Sequence, residues 1–140
     1  MPPQLFRGAR GGFTLDVPAI ESDSFWSTPT LGRTLAKLDY NRDGRPDLVA
    51  NHLDAPAALL ENKTAGGHWL RLDLVGVASE RDAIGAHVTV RQADDVWHDW
   101  VIGGDGYLCT NESTVDFGVG DHSQIAELTI EWPSGTRQIF

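Results

Sequence analysis

The chain is 140 residues long, enough for one ordinary domain with a real core or one domain with an appendage. Twenty acidic against eleven basic residues give a formal net charge of -9; with no long tail of one sign, nucleic acid and anionic membrane surfaces are poor partners and divalent cations good ones. The single cysteine, Cys109, excludes an internal disulfide, and no apolar run has the length of a membrane span or of a signal peptide.

Residues 1 to 33 are rich in Gly, Pro, Ser and Thr, with one strand predicted at GFTLDV and a loose aromatic stretch at SFWSTPTLG. TLAKLDY and DLVAN then read as two strands around a tight polar loop. AALLEN is a further strand or a single helical turn, and KTAGG is linker-like. From His68 the alternation is cleaner. WLRLDLV puts Leu70, Leu72 and Leu74 on one face and Arg71 and Asp73 on the other, the period of a strand with one buried side. AHVTVR points Val88 and Val90 inward, and DVWHDWVI follows after a short acidic turn, so the two form a hairpin. STVDFGVG is another strand. IAELTIEW sets Leu128, Ile130 and Trp132 against Glu127, Thr129 and Glu131, Pro133 stops it, and TRQIF closes the series. No window sustains an amphipathic helix of three turns. The predicted fold is all-β, a mostly antiparallel β-sandwich or barrel-like domain with an N-terminal β-repeat fragment.

The stretch DYNRDGRPD carries the strongest chemical signal. Counting Asp39 as the first position, Asn41, Asp43, Arg45 and Asp47 occupy the third, fifth, seventh and ninth. Calcium takes six to eight oxygen ligands, which a chain supplies only by curling around the ion. Side chains at the first, third, fifth and ninth positions converge, while Arg45 offers its backbone carbonyl and leaves its side chain free to face solvent. Gly44 permits a left-handed backbone at the bend. The pattern is not an EF-hand: Ala50 stands where a bidentate Glu is required, and strand-like residues flank the loop. An Asp/Asn-rich turn that only caps its own amides is the alternative reading.

The stretch from LGRTLAKLDYNRDGRPDLVANHLDAPAALLENKTAGG to HWLRLDLVG resembles a calcium-binding FG-GAP or VCBS-type repeat followed by the start of an ASPIC/UnbV domain, in a cartilage acidic protein-like arrangement. RDAIGAHVTVR, VIGGDGYLCTNESTVDFGVG and LTIEWPSGTRQ continue the body of that domain. The resemblance implies a repeat fragment over residues 1–64 and an ASPIC/UnbV-like β domain over residues 65–140. It implies that Asp39, Asn41, Asp43, Arg45 through its carbonyl, and Asp47 hold Ca2+. It further implies that Ile84 to Ala86 and Gly103 to Leu108 are structural signatures of the β domain, with Cys109 where relatives commonly carry a small polar residue. An isolated repeat cannot bury both faces of its small sheet, so the chain is expected to be part of a longer multi-repeat chain.

Other candidate chemistry is weaker. The histidines at 52, 68, 87, 98 and 122 lack zinc spacing, although His87 and His98 face each other across the predicted hairpin. Cys109 has no neighbouring histidine, Ser123 and Ser134 lack a nucleophile-elbow context, and GGDGYL lacks the lysine and helix of a phosphate loop. Asp94, Asp95, Asp99 and Asp105 are carboxylates whose separations sequence does not give. Asn62 and Asn111 begin NKT and NES sequons. Trp97 and Trp100 fall on opposite faces of one strand, and an exposed indole with Tyr107 would offer a stacking surface to a glycan or protein.

The reading that results is a calcium-stabilised structural, adhesion or ligand-presenting module without catalytic activity, located extracellularly, in a periplasm or at a cell surface. It has no nucleic-acid partner and does not insert into membranes. The alternatives are a carbohydrate-binding module using Trp97, Trp100 or Tyr107, and an enzyme whose site is assembled from distant carboxylates or histidines.

Overall fold

The computed structural model describes residues 2–9, 11–16 and 25–140. Strands β1 (Leu5–Ala9) and β2 (Gly12–Asp16) form an antiparallel hairpin. Strands β3 (Gly32–Leu38), β4 (Asp47–His52) and β5 (Ala58–Leu60) make an antiparallel three-stranded sheet in chain order. The remaining strands build the C-terminal body. They are β6 (His68–Asp73), β7 (His87–Gln92), β8 (Asp95–Trp100), β9 (Thr114–Gly120), β10 (Glu127–Glu131) and β11 (Arg137–Ile139). There, β6 pairs with β9 while the order β11-β10-β7-β8 makes a second antiparallel sheet.

Alternation in the sequence explains how these two sheets face each other. Val88 and Val90 of β7 and Val115, Phe117 and Val119 of β9 are buried in one cluster with Ala83, Ala86 and Val101. Leu70 and Leu72 of β6, Leu74, Trp97, Ile125, Leu128 and Trp132 pack around it. The inward sets are those that the period of two assigns, since a one-residue slip would turn every one of them to solvent. The C-terminal body is therefore sandwich-like, with its core between the two sheets.

Two places show why particular residues are needed. The β7–β8 hairpin pairs Gln92 with Asp95 and turns on Ala93 and Asp94, with Ala93 in the left-handed region at φ 52°. At the start of β6 the ladder slips between His68 and Trp69, and a Cβ added to Gly67 would lie 2.1 Å from the Gly120 carbonyl oxygen. Only glycine allows that approach of the two backbones.

The N-terminal third differs from expectation in one respect. LFRGA forms β1, although only Leu5 and Phe6 in it favour a strand; its pairing with β2 supplies what local propensity does not. The final residue of GFTLDV and the first of SFWSTPTLG lie outside the described residues, and Phe25 to Ser27 form a turn. AALLEN resolves to a strand, β5, because β4 offers it an antiparallel edge.

Candidate metal-binding loop

The loop between β3 and β4 begins at Asp39 and ends at Asp47, the first residue of β4. Both carboxylates are turned inward: Asp39 is 6% exposed and Asp47 has no exposed surface. Asp39 Oδ1 accepts the Asp43 amide at 3.0 Å and Oδ2 the Gly44 amide at 2.9 Å. Asn41 Oδ1 accepts the Asp43 amide at 3.2 Å, and Asp43 Oδ1 accepts the Arg45 amide at 2.9 Å. Asp47 Oδ2 accepts the Tyr40 amide at 3.1 Å and Oδ1 the Asn62 amide at 2.7 Å. The backbone curls by entering the left-handed region at Arg42 (φ 58°) and Gly44 (φ 82°). Every acidic side chain of the loop thus points toward the concave backbone instead of away from it.

The loop is held from outside by the C-terminal body. Arg71 of β6 donates through Nε to Asp116 Oδ1 of β9 at 2.6 Å and brings Nη2 to 3.4 Å from Asp39 Oδ2. The hydrogen bond to Asp116, opposed by desolvation and aided by the Asp116 and Asp39 charges, raises the guanidinium pKa further. The Trp69 indole covers Gly44, where an added Cβ would fall 2.1 Å from Nε1. Two contacts tie the outer edge of β3 to the 103–111 turn. The Lys37 amide donates to Asn111 Oδ1 at 2.7 Å, and Cys109 Sγ donates to the Leu35 carbonyl at 3.2 Å.

One expectation about the loop is corrected. The Arg45 side chain is not free in solvent but engaged and partly covered: Nε donates to the Asn62 carbonyl at 2.8 Å and Nη2 pairs with Asp43 Oδ2. A guanidinium beside a carboxylate in the same turn gains charge-assisted hydrogen bonds that open solvent would not supply. Asp43 Oδ2 also receives Asn41 Nδ2 at 2.7 Å. Desolvation pushes the Asp43 carboxyl up, but the Arg45 amide, the Asn41 side chain and the Arg45 guanidinium outweigh it and hold the group below the usual carboxylate range.

Calcium chemistry can be tested against this donor set. Among the described residues no three Asp, Glu, His or Cys side chains are grouped so as to hold a metal ion by themselves. The loop offers instead a mixed oxygen set of three carboxylates, the Asn41 amide oxygen and the Arg45 carbonyl, hard donors that suit Ca2+ and not a soft metal. Asp43 has Arg45 and Asp39 has Arg71 as a cationic neighbour, whereas among the described residues Asp47 is held by backbone amides alone. A fully buried carboxylate without a cation costs on the order of several kcal/mol, which a bound divalent ion would offset. The donor set therefore fits calcium.

The other singled-out residues are dispersed. Trp97 lies opposite Val90 and packs against the core, whereas Trp100 lies opposite His87 on the outer face and is 52% exposed. The Trp100 ring stacks on His87 at 4.2 Å, and His87 stacks on His98 at 5.5 Å. Tyr107 is exposed, with the Arg33 guanidinium 5.3 Å above its ring. His87 Nδ1 hydrogen-bonds to Glu131 at 3.0 Å, His122 Nε2 to Asp95 at 2.9 Å and His98 Nδ1 to the Thr89 hydroxyl at 3.1 Å. Asp105 accepts from the Asn111 side chain at 2.6 Å. Asn62 Oδ1 accepts the Thr64 hydroxyl at 2.6 Å within the NKT sequon. No helix among the described residues is long and apolar enough to cross a membrane.

Sequence reasoning missed three residues that shape the loop: Asn62, Trp69 and Arg71. No local pattern marks them, because each reaches the loop through the tertiary register of a later segment. The one available hint was a charged pair on the outer face of the β6–β9 ladder, Arg71 opposite Asp116.

Comparison with known proteins finds similarity in the C-terminal body. Residues 76–140 match the family described as ASPIC and UnbV. Cartilage acidic protein 1 of Mus musculus is 30% identical over 102 residues, covering 69% of this chain and 16% of that protein. Cartilage acidic protein 1 of Xenopus tropicalis is 30% identical over 105 residues, covering 71% of this chain and 16% of that protein. The chain matches only a small part of the length of either relative.

Proposed function

We propose that this chain carries an ASPIC/UnbV-type domain and is a calcium-stabilised, non-catalytic β module of an extracellular or cell-surface protein. In this reading residues 1–64 are a repeat-like unit that carries the ion, and residues 65–140 are the β domain that the ion braces. The observation that carries it is the Asp47 carboxylate, buried with no exposed surface and satisfied, among the described residues, by the Tyr40 and Asn62 amides alone. Asp39, Asn41, Asp43, Asp47 and the Arg45 carbonyl would hold the ion. Calcium supplies the positive charge that these oxygens share, and because the unfolded chain has no such cradle, binding stabilises the folded state.

Three further observations support this reading. Calcium-binding modules outside cells work at dissociation constants of about 10⁻⁴ to 10⁻³ M, within reach of a loop whose Asp43 is partly neutralised by Arg45. The relatives are named for acidity, and this chain shares it at a net charge of -9. Cys109 and the imidazoles of His87, His98 and His122 are each engaged in pairings that are not those of a nucleophile and its base. The test is a pair of thermal melts, one in millimolar calcium and one in chelator. At a free ion concentration 100 times the dissociation constant, calcium should add about 2.7 kcal/mol. Identical melting temperatures would sink the proposal.

A glycan-binding role leaves Trp100 and Tyr107, both exposed, since Trp97 packs against the core. Glycan-array binding that disappears in Trp100→Ala or Tyr107→Ala and persists in Trp97→Phe is the result this second reading requires.

A further inference from the structure

Apart from the Asp39–Asp47 loop, a groove of about 400 Å3 opens along β3 and β4. Its walls include Phe25, Leu35 and Tyr107, and its polar groups include Arg33, Asn51 and His52. The chain carries 20 acidic residues, yet no carboxylate lines this groove among the described residues. Arg33 sits over the Tyr107 ring at 5.3 Å, which aligns its planar guanidinium with an aromatic wall. Asn51 uses its side-chain oxygen to accept the His52 amide at 2.9 Å, so its remaining polar group is an NH2 donor. His52 Nδ1 is fixed on the Pro56 carbonyl at 3.0 Å, and the ring lies 5.8 Å from Phe25. Donors therefore gather beside aromatic walls, in a molecule whose field elsewhere repels anions.

We infer that this groove binds a small ligand that joins a carboxylate to an aromatic ring. The carboxylate would meet the Arg33 fork and the Asn51 donor, and the ring would lie between Leu35, Phe25 and Tyr107. The arrangement follows the general plan of a ligand site, mostly apolar with a few polar groups that fix orientation. Arg33 is the specificity-determining residue, because a guanidinium distinguishes a carboxylate from its neutral amide by charge and by paired hydrogen bonds.

The test uses the full chain, labelled with 15N, titrated with phenylacetate, phenylacetamide and acetate. Saturable shifts are expected at the amides of Gly32 to Leu35 and Ala50 to His52, with phenylacetate bound at least about fivefold more tightly than either analogue. Arg33→Met should erase the preference of acid over amide, and Arg33→Lys should keep part of it. N-acetylphenylalanine, run in parallel, separates a free aromatic acid from the carboxyl end of a peptide, since both present the same ring and charge. Absence of saturable shifts, equal affinity for acid and amide in the unaltered protein, or a preference that survives Arg33→Met would each overturn the inference.

Discussion

Asp47 and an asparagine in its place have nearly the same shape, but they differ in charge and in the number of amides they can accept. Asp47 accepts from both Tyr40 and Asn62. The asparagine keeps one acceptor oxygen and turns an NH2 toward the other amide, so Asp47→Asn should cost the ion-free protein about 1–3 kcal/mol. It should also abolish the calcium-dependent rise in melting temperature, and titration calorimetry that still records wild-type calcium affinity would remove Asp47 from the ligand set. Gly44 is tested separately. Its φ of 82° and the indole above it both exclude a side chain, so Gly44→Ala should destabilise the fold by about 1–3 kcal/mol through strain alone, with a further loss from moving Trp69. Urea denaturation at constant calcium measures it. The spacing of Asp39, Asn41, Asp43 and Asp47, and the need for glycine at 44, could be read from nine consecutive letters because the loop is local. The clasp of Arg45 on Asp43 and the approach of Arg71 and Trp69 could not, since a side chain's partner is chosen by everything that folds near it.

Among the strands, alternation located β6 to β10 and assigned the inward faces of β6, β7 and β10, because one side of each is buried and the period of two then becomes visible. It set Trp97 and Trp100 on opposite faces without saying which was inside; the pairing of Val90 with Trp97 and of His87 with Trp100 puts Trp97 inside. It failed at β1, whose hydrophobic residues Leu5 and Phe6 are exposed and so leave no inside-outside pattern to read. It was ambiguous at β5, three residues long. The core that alternation did locate predicts a large effect at its centre: Phe117, 5% exposed between the sheets, should cost about 3–5 kcal/mol when replaced by alanine. A chemical denaturation midpoint unchanged in Phe117→Ala would show that the two sheets do not share that core. On the outer face of the same body, the hydrogen bond from His87 holds Glu131 below its ordinary value of 4.5, against desolvation and with help from the His87 and Arg137 charges. A depressed folded pKa gives stability that is present above the unfolded value and is lost as pH falls through the folded one. The melting-temperature advantage of the wild type over Glu131→Gln should therefore be steady above about pH 5 and shrink below the glutamate range. Because Glu131 is largely exposed, the advantage is small.

At the scale of the whole molecule, the loop and the C-terminal body are joined by chemistry of several kinds. Arg71 links Asp39 to Asp116, the Trp69 ring covers Gly44, and β3 is tied to the 103–111 turn through Asn111 and Cys109. A three-stranded sheet that leaves Leu35 and Leu59 half exposed cannot hold its loop closed by its own burial. It borrows rigidity from β6, and an ion at Asp39 to Asp47 would return stability to β6 through Arg71. Residues 32–140 should consequently unfold as one cooperative unit. Far-ultraviolet dichroism, which follows all strands, and the methyl resonances of Val88, Val90 and Val115, which report the C-terminal core, should give coincident melting curves, and chelation should move both by the same amount. Arg71→Met cuts the ionic link while leaving the calcium oxygens in place. In that variant the two curves should separate, with calcium still raising the transition seen by dichroism but no longer the one seen by the core methyl groups. Curves that stay superimposed in Arg71→Met would mean that the packing of Trp69 and the β3 edge contacts carry the coupling without it.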